Sequence, residues 1–159
     1  DNLWLMIPFV RSSDELARIR RIVTSEGLFK ANTFKFWMMV ELPINVILFE
    51  DFVKVVLDGV SIGSNDLTML ILGTDRDNSD VASAFVERSP AVLWAIKRVI
   101  KMCQKYGISS SICGQAPSEY DELVEKLVRF GVTSVSVNPD SINRVRKVLI
   151  EAEKSITNR

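Results

Sequence analysis

Ser61-Ile62-Gly63-Ser64-Asn65-Asp66-Leu67-Thr68 decides the reading of this chain. A short β-branched strand runs into a Gly-Ser-Asn-Asp turn, so a carboxylate and an amide leave the sheet at a strand end. Working outward, a second acid follows another strand-like run, Phe36 to Val40, in Val40-Glu41-Leu42-Pro43. A thiol sits in Ser111-Ile112-Cys113-Gly114-Gln115. Acid, acid and thiol all fall where strands run out. In parallel α/β sheets and barrels those ends carry the chemistry, and the opposite ends carry mostly stability.

Five short apolar, β-branched runs read as strands: Leu3 to Ile7, Phe36 to Val40, Val60 to Ile62, Ser109 to Ile112 and Ser134 to Val137. Helical spacing fills the gaps. Ser13 to Ser25 opens on Ser-Ser-Asp-Glu and stops before Gly27; Asn45 to Leu57 stops at Asp58-Gly59; Pro90 to Tyr106 starts on proline and stops at Gly107. Ser118 to Phe130 starts on a serine cap, and Pro139 to Ser155 closes the chain. The polar segment Thr74 to Ser89 reads as a surface loop or lid. This alternation predicts a parallel α/β sheet, either open and doubly wound or part of a (β/α)₈ barrel. A whole barrel takes about 250 residues, so barrel material of this length is incomplete.

Charges balance at 20 Lys+Arg against 20 Asp+Glu, which leaves no basic excess to draw nucleic acid or an anionic membrane. The chain has no histidine and no Cys-x-x-Cys pair, so any metal is held by oxygens, which favours a hard ion such as magnesium or manganese. The two cysteines form no disulfide pattern. The apolar stretch at the start is too short for a membrane span or a signal-peptide core, and cytoplasmic residence is the simplest expectation.

Six segments resemble the C-terminal domain of the phosphoenolpyruvate-utilising enzymes, in family order. They are Met6-Ile7-Pro8-Phe9-Val10-Arg11, Met38-Met39-Val40-Glu41-Leu42-Pro43-Ile44-Asn45, Gly59 through Thr68, Leu72-Gly73-Thr74-Asp75-Arg76-Asp77, Ile112-Cys113-Gly114-Gln115-Ala116-Pro117-Ser118, and Ser136-Val137-Asn138-Pro139-Asp140. Gln115 after Cys-Gly is similar to the synthase branch (pyruvate, water dikinases), where other branches have Glu. The resemblance implies a TIM (β/α)₈ barrel of which residues 1–159 hold the C-terminal part, about five β/α units with parallel strands, within a larger multidomain chain. It further implies ATP-dependent phosphorylation of pyruvate to phosphoenolpyruvate, with ATP and a phosphorylated histidine carried by other domains of the same enzyme. Met69 stands where the family usually has Gln, which bears on a supporting hydrogen bond and on no direct ligand.

By the same resemblance Glu41 and Asp66 are the Mg2+ ligands. Two carboxylates at one rim, with water and substrate oxygens, suit an ion that keeps exchangeable positions. Taken singly, each acid reads more simply as a helix cap; the combined motif favours the metal. Cys113 is implied as the general acid that protonates the enolate of pyruvate and, in the other direction, removes a methyl proton. Asn65, Ser64, Arg76 and Gly114 are implied to bind substrate, Arg76 by a bidentate grip on carboxylate or phosphate. Backbone N–H groups of the helix start after Gly114 are expected beside the thiol. Cys103 reads as packing, Asn138 as an orienting group or a helix-entry turn, Arg11 as facing the site or pairing with an acid, and Trp4, Trp37 and Trp94 as core or interface. Two other functions stay open: an assembly module, because an unclosed barrel exposes edges that favour a homo-oligomer, and a metal-dependent pyruvate lyase or aldolase. The isolated piece is expected to be inactive in the overall reaction.

Overall fold

The computed structural model of the chain describes residues 2–157. Five strands, β1 (Trp4–Ile7), β2 (Lys35–Val40), β3 (Gly59–Gly63), β4 (Ser109–Cys113) and β5 (Ser134–Val135), form one sheet in the order β1-β2-β3-β4-β5, and every pairing is parallel. Each strand neighbours its successor, so the order never reverses. Doubly wound sheets reverse at a switch point, whereas barrels step in one direction. The chain is therefore α/β with the strand progression of a barrel segment.

Side-chain alternation along the strands agrees. Phe36, Met38, Val40, Val60, Ile62 and Ile112 point to one face, where they are fully buried in a single core. Helices α1 (Ser13–Ser25), α3 (Phe49–Val53), α5 (Pro90–Tyr106) and α7 (Asp121–Phe130) add Leu16, Phe49, Phe52, Ile96, Ile100, Leu123 and Leu127 to that core. The opposite face carries Trp4, Met6, Trp37, Met39, Ser61, Ser111 and Cys113, none of which joins it. Trp4 stacks on Trp37 at 5.2 Å between centroids and stays exposed, because no strand lies beyond β1 among the described residues.

Local chemistry sets the helix ends. Ser12 accepts the Glu15 N–H at 3.1 Å to start α1, and Ser89 accepts the Val92 N–H at 3.3 Å to start α5 with Pro90 in its first turn. Four elements depart from the sequence expectation. Residues Ser64–Leu72 form a helix, α4, where no helix was expected. The run expected over Asn45 to Leu57 is two short helices, α2 (Pro43–Ile47) and α3, broken at Leu48, whose φ of −104° and ψ of 32° are not helical. The helix expected from Ser118 starts as α6 (Ala116–Glu119) and restarts after Tyr120, because Ser118 spends its hydroxyl on the Asn138 N–H at 2.9 Å and caps nothing. The last strand pairs over two residues and is followed, after a 3₁₀ turn, by α8 (Ile142–Thr157).

Candidate functional site

Register brings the predicted residues to one end of the sheet. Val40 pairs with Ile62 and Gly63 with Cys113, so Glu41, one residue beyond Val40, lies in the layer of Gly63 and Cys113 on three adjacent strands. Glu41 Oε2 lies 3.2 Å from where a β-carbon on Gly63 would sit. The glycine gives the carboxylate its room. Asp66 follows in the first turn of α4 and is close enough to raise the Glu41 pKa.

Glu41 is buried yet held by a specific contact: its Oε1 accepts the Phe9 N–H at 2.6 Å. Phe9 has φ of +53°, and this left-handed turn after β1 aims its N–H across at β2. Asn45, fully buried, sets the turn that carries Glu41. Its side-chain oxygen accepts the Leu42 N–H at 3.0 Å and the Glu41 N–H at 3.3 Å, and its amide donates to the Val10 carbonyl at 2.8 Å. Burial raises the Glu41 pKa most, the Phe9 N–H opposes it and the charge of Asp66 adds to it. Neither acid caps a helix through its side chain.

The Cys113 sulfur accepts the Ser61 hydroxyl at 3.4 Å and lies 3.5 Å from the Ile62 carbonyl. Its neighbours are therefore on β3, and the expected N–H groups of the following helix are not its partners. Gly114 has φ of +105°, and a β-carbon there would collide with Ser64 Oγ and lie 3.0 Å from Asn65 Oδ1. The turns after β3 and β4 thus touch. Asn65 Oδ1 accepts the Gln115 N–H at 3.2 Å, and Arg76 Nη1 donates to Gln115 Oε1 at 3.3 Å. Ser64 donates to Glu87 Oε1 at 2.9 Å.

Among the described residues no group of three or more Asp, Glu, Cys or His side chains gathers as a metal cluster. Glu41 and Asp66 offer a pair of carboxylates, hard oxygen donors of the kind that could hold part of a magnesium ion's coordination sphere. Arg11 sits on the turn after β1, its guanidinium on the Phe9 carbonyl at 3.3 Å and 5.5 Å from the Phe9 ring, with no acid among the described residues paired to it. Asn138 lies beyond β5, immediately before the 3₁₀ turn, and its backbone N–H donates to the Ser118 hydroxyl. Cys103 is buried in the core. Trp94 is exposed beside an apolar groove of about 420 Å³, lined by Pro43, Val46, Ile47, Leu70 and Ile71 on the helix side and bearing no convergent polar group. Sequence reading missed Asn45 and Glu87. The first stands within Glu41-Leu42-Pro43-Ile44-Asn45, where an amide four residues past an acid signals a turn lock; the second has no local signal.

A family model described as PEP-utilising enzyme, PEP-binding domain, matches residues 1–154. The chain is 51% identical over 157 residues to a phosphoenolpyruvate synthase of Aeropyrum pernix and 49% identical over 157 residues to a probable phosphoenolpyruvate synthase of Staphylothermus marinus, covering 98% of this chain and 19% of each relative. It is 43% identical over 156 residues to a phosphoenolpyruvate synthase of Helicobacter pylori, with the same coverage. The chain thus spans about a fifth of the length of these relatives. A crystal structure of RipC from Yersinia pestis superposes with a TM-score of 0.67 at 14% identity, over 92% of this chain and 63% of that one, a likeness of fold. No helix among the described residues is long and apolar enough to cross a membrane.

Proposed function

This chain belongs to the PEP-utilising enzyme family, as its PEP-binding domain, and on that premise we propose that it is the pyruvate and phosphoenolpyruvate site of a longer phosphoenolpyruvate synthase. The observation that carries the reading is the layer of Glu41, Gly63 and Cys113 on three adjacent parallel strands, with Asp66 beyond it. An ATP-binding domain, a phosphohistidine domain and the remaining barrel strands belong to the rest of that longer chain. A cytoplasmic, homo-oligomeric enzyme is part of the same proposal.

Glu41 and Asp66 are the residues that would hold Mg2+, and their two-carboxylate set fits it. When bound, the ion polarises the pyruvate carbonyl and stabilises charge on its oxygen. Arg76 and the Asn65 amide orient the substrate's carboxylate or phosphate. Toward phosphoenolpyruvate, the Cys113 thiolate takes a methyl proton: the C–H bond breaks, the S–H bond forms, and the freed pair becomes the enolate double bond. The enolate oxygen then bonds to phosphorus as the P–N bond of the phosphohistidine breaks, its electron pair staying on the imidazole. In the reverse direction the thiol returns its proton to the methylene carbon.

In the full-length protein carrying this sequence, Cys113→Ala should keep phosphoryl transfer from ATP to the protein and lose exchange of pyruvate methyl hydrogens with deuterated water. Exchange at the wild-type rate would overturn the assignment. The 159-residue chain alone is expected to convert no pyruvate in the presence of ATP.

A further inference from the structure

Glu87 is a buried carboxylate that the proposed chemistry does not use. It lies in the connection between α4 and α5, after a 3₁₀ turn at Ala82–Ala84, and only 5% of it is exposed. A charge in such a place is costly unless it is partnered. Its partners are specific. Oε1 accepts the Ser64 hydroxyl at 2.9 Å, and the backbone N–H of Ala116 also lowers its pKa. Ser64 opens the turn that carries Asn65 and Asp66, and Ala116 closes the turn that carries Cys113, Gly114 and Gln115. Through Ser64, whose Oγ lies against Gly114, one carboxylate therefore bears on both turns.

The other charged and titratable groups that face Glu87 are Glu119, whose charge opposes ionisation, and Arg76, whose charge favours it. Tyr120 senses the same carboxylate. No cation forms an ion pair with Glu87 among the described residues. A carboxylate held by a hydroxyl that itself lies against the neighbouring turn, with no salt bridge, is suited to fixing two backbone segments relative to each other. An apolar side chain would fill the same space without the desolvation cost and without the two acceptors.

We propose that Glu87 is a positioning residue that ties the Ser64–Asp66 turn to the Cys113–Ala116 turn, and so fixes the thiol against the carbon it protonates. The inference rests on the synthase reading above. A thiol displaced by about 1 Å loses on the order of 100-fold in rate, whereas phosphoryl transfer from ATP, made elsewhere in the enzyme, does not depend on this tie.

The test is made in the full-length enzyme. Glu87→Met keeps the length of the side chain and removes both acceptor oxygens, so the Ser64 hydroxyl loses its partner. The expected result is a fall of about 10- to 100-fold in kcat and in deuterium exchange at the pyruvate methyl. KM for pyruvate should stay within about threefold and transfer of labelled phosphate from ATP to the protein should be unchanged. Ser64→Ala, which keeps the carboxylate and removes its link, should lose a similar factor, and the double variant should lose no more than the worse single variant. Wild-type kcat in Glu87→Met, additive losses in the double variant, or parallel loss of protein labelling would each overturn the proposal. A wild-type enzyme that exchanges no methyl hydrogen would instead overturn the synthase reading itself.

Discussion

Gly114→Ala tests how closely the two site turns are pressed together. At φ of +105° an alanine is strained by about 1 to 2 kcal/mol. Its β-carbon would also land on Ser64 Oγ, whose hydroxyl is held by Glu87 at 2.9 Å, so Ser64 retreats only by giving up a hydrogen bond to a charged group worth about 1.5 to 3 kcal/mol. Together the loss is about 2.5 to 5 kcal/mol, a large share of the roughly 5 to 15 kcal/mol that holds a domain. Gly73→Ala is the control, since Gly73 has φ of +61° with nothing within 4 Å of a β-carbon, and only the conformational cost of about 1 to 2 kcal/mol applies. Urea unfolding of the purified protein at constant m-value reads both. In a Ser64→Ala background, Gly114→Ala should cost at least about 1 kcal/mol less than in wild type, because the obstructing oxygen is gone. Equal losses for the two glycine variants, or no relief in the Ser64→Ala background, would refute the argument.

Asn45→Ala removes one donor and one twofold acceptor from a fully buried site and should destabilise by about 3 kcal/mol, with divalent-cation affinity falling as the Glu41 turn loosens; unchanged melting and affinity would count against the turn lock. Burial pushes the Cys103 thiol from an ordinary 9.0 up to about 12. A folded-state pKa above the unfolded one means that its contribution is complete below pH 9 and is lost as pH rises toward 12, with a slope approaching about 1.4 kcal/mol per pH unit. Cys103→Ala should remove that slope, and a wild-type slope retained in the variant would contradict it. A thiol reagent at neutral pH should modify one cysteine in the native chain, the partly exposed Cys113, and both after unfolding; two fast-reacting native thiols would contradict the burial of Cys103. The 159-residue chain alone should self-associate in light scattering, because the outer edge of β1 and the exposed Leu3, Trp4 and Phe9 stand open; a monomer at all concentrations would oppose this.

Elements with strong local signals were legible in the sequence. α1 and α5 start on serine caps, and their ranges agree with the expectation residue for residue. α4 was not, because Leu67, Met69, Leu70, Ile71 and Leu72 place apolar groups all around the helix and erase the 3.6-residue period. The break at Leu48 and the restart at Tyr120 come from packing against neighbouring elements, which local pattern does not carry. That Glu41 and Cys113 come to the same end of the sheet could be anticipated because strand ends are visible in sequence, and the register puts them in one layer. Glu87 could not, since a glutamate in a polar connection looks solvated until the fold closes over it. The link from Arg76 to Gln115, 39 residues apart, was hidden for the same reason.

The central claim is that Glu41, Asp66 and Cys113 open onto one mouth. Manganese(II) bound to the full-length protein, with a fluorinated tag on the Cys113 thiol, reads it directly through paramagnetic broadening of the fluorine signal. Strong broadening is expected, and it should disappear in Glu41→Gln and Asp66→Asn. A sharp tag signal with manganese bound, or broadening indifferent to both acids, would contradict it.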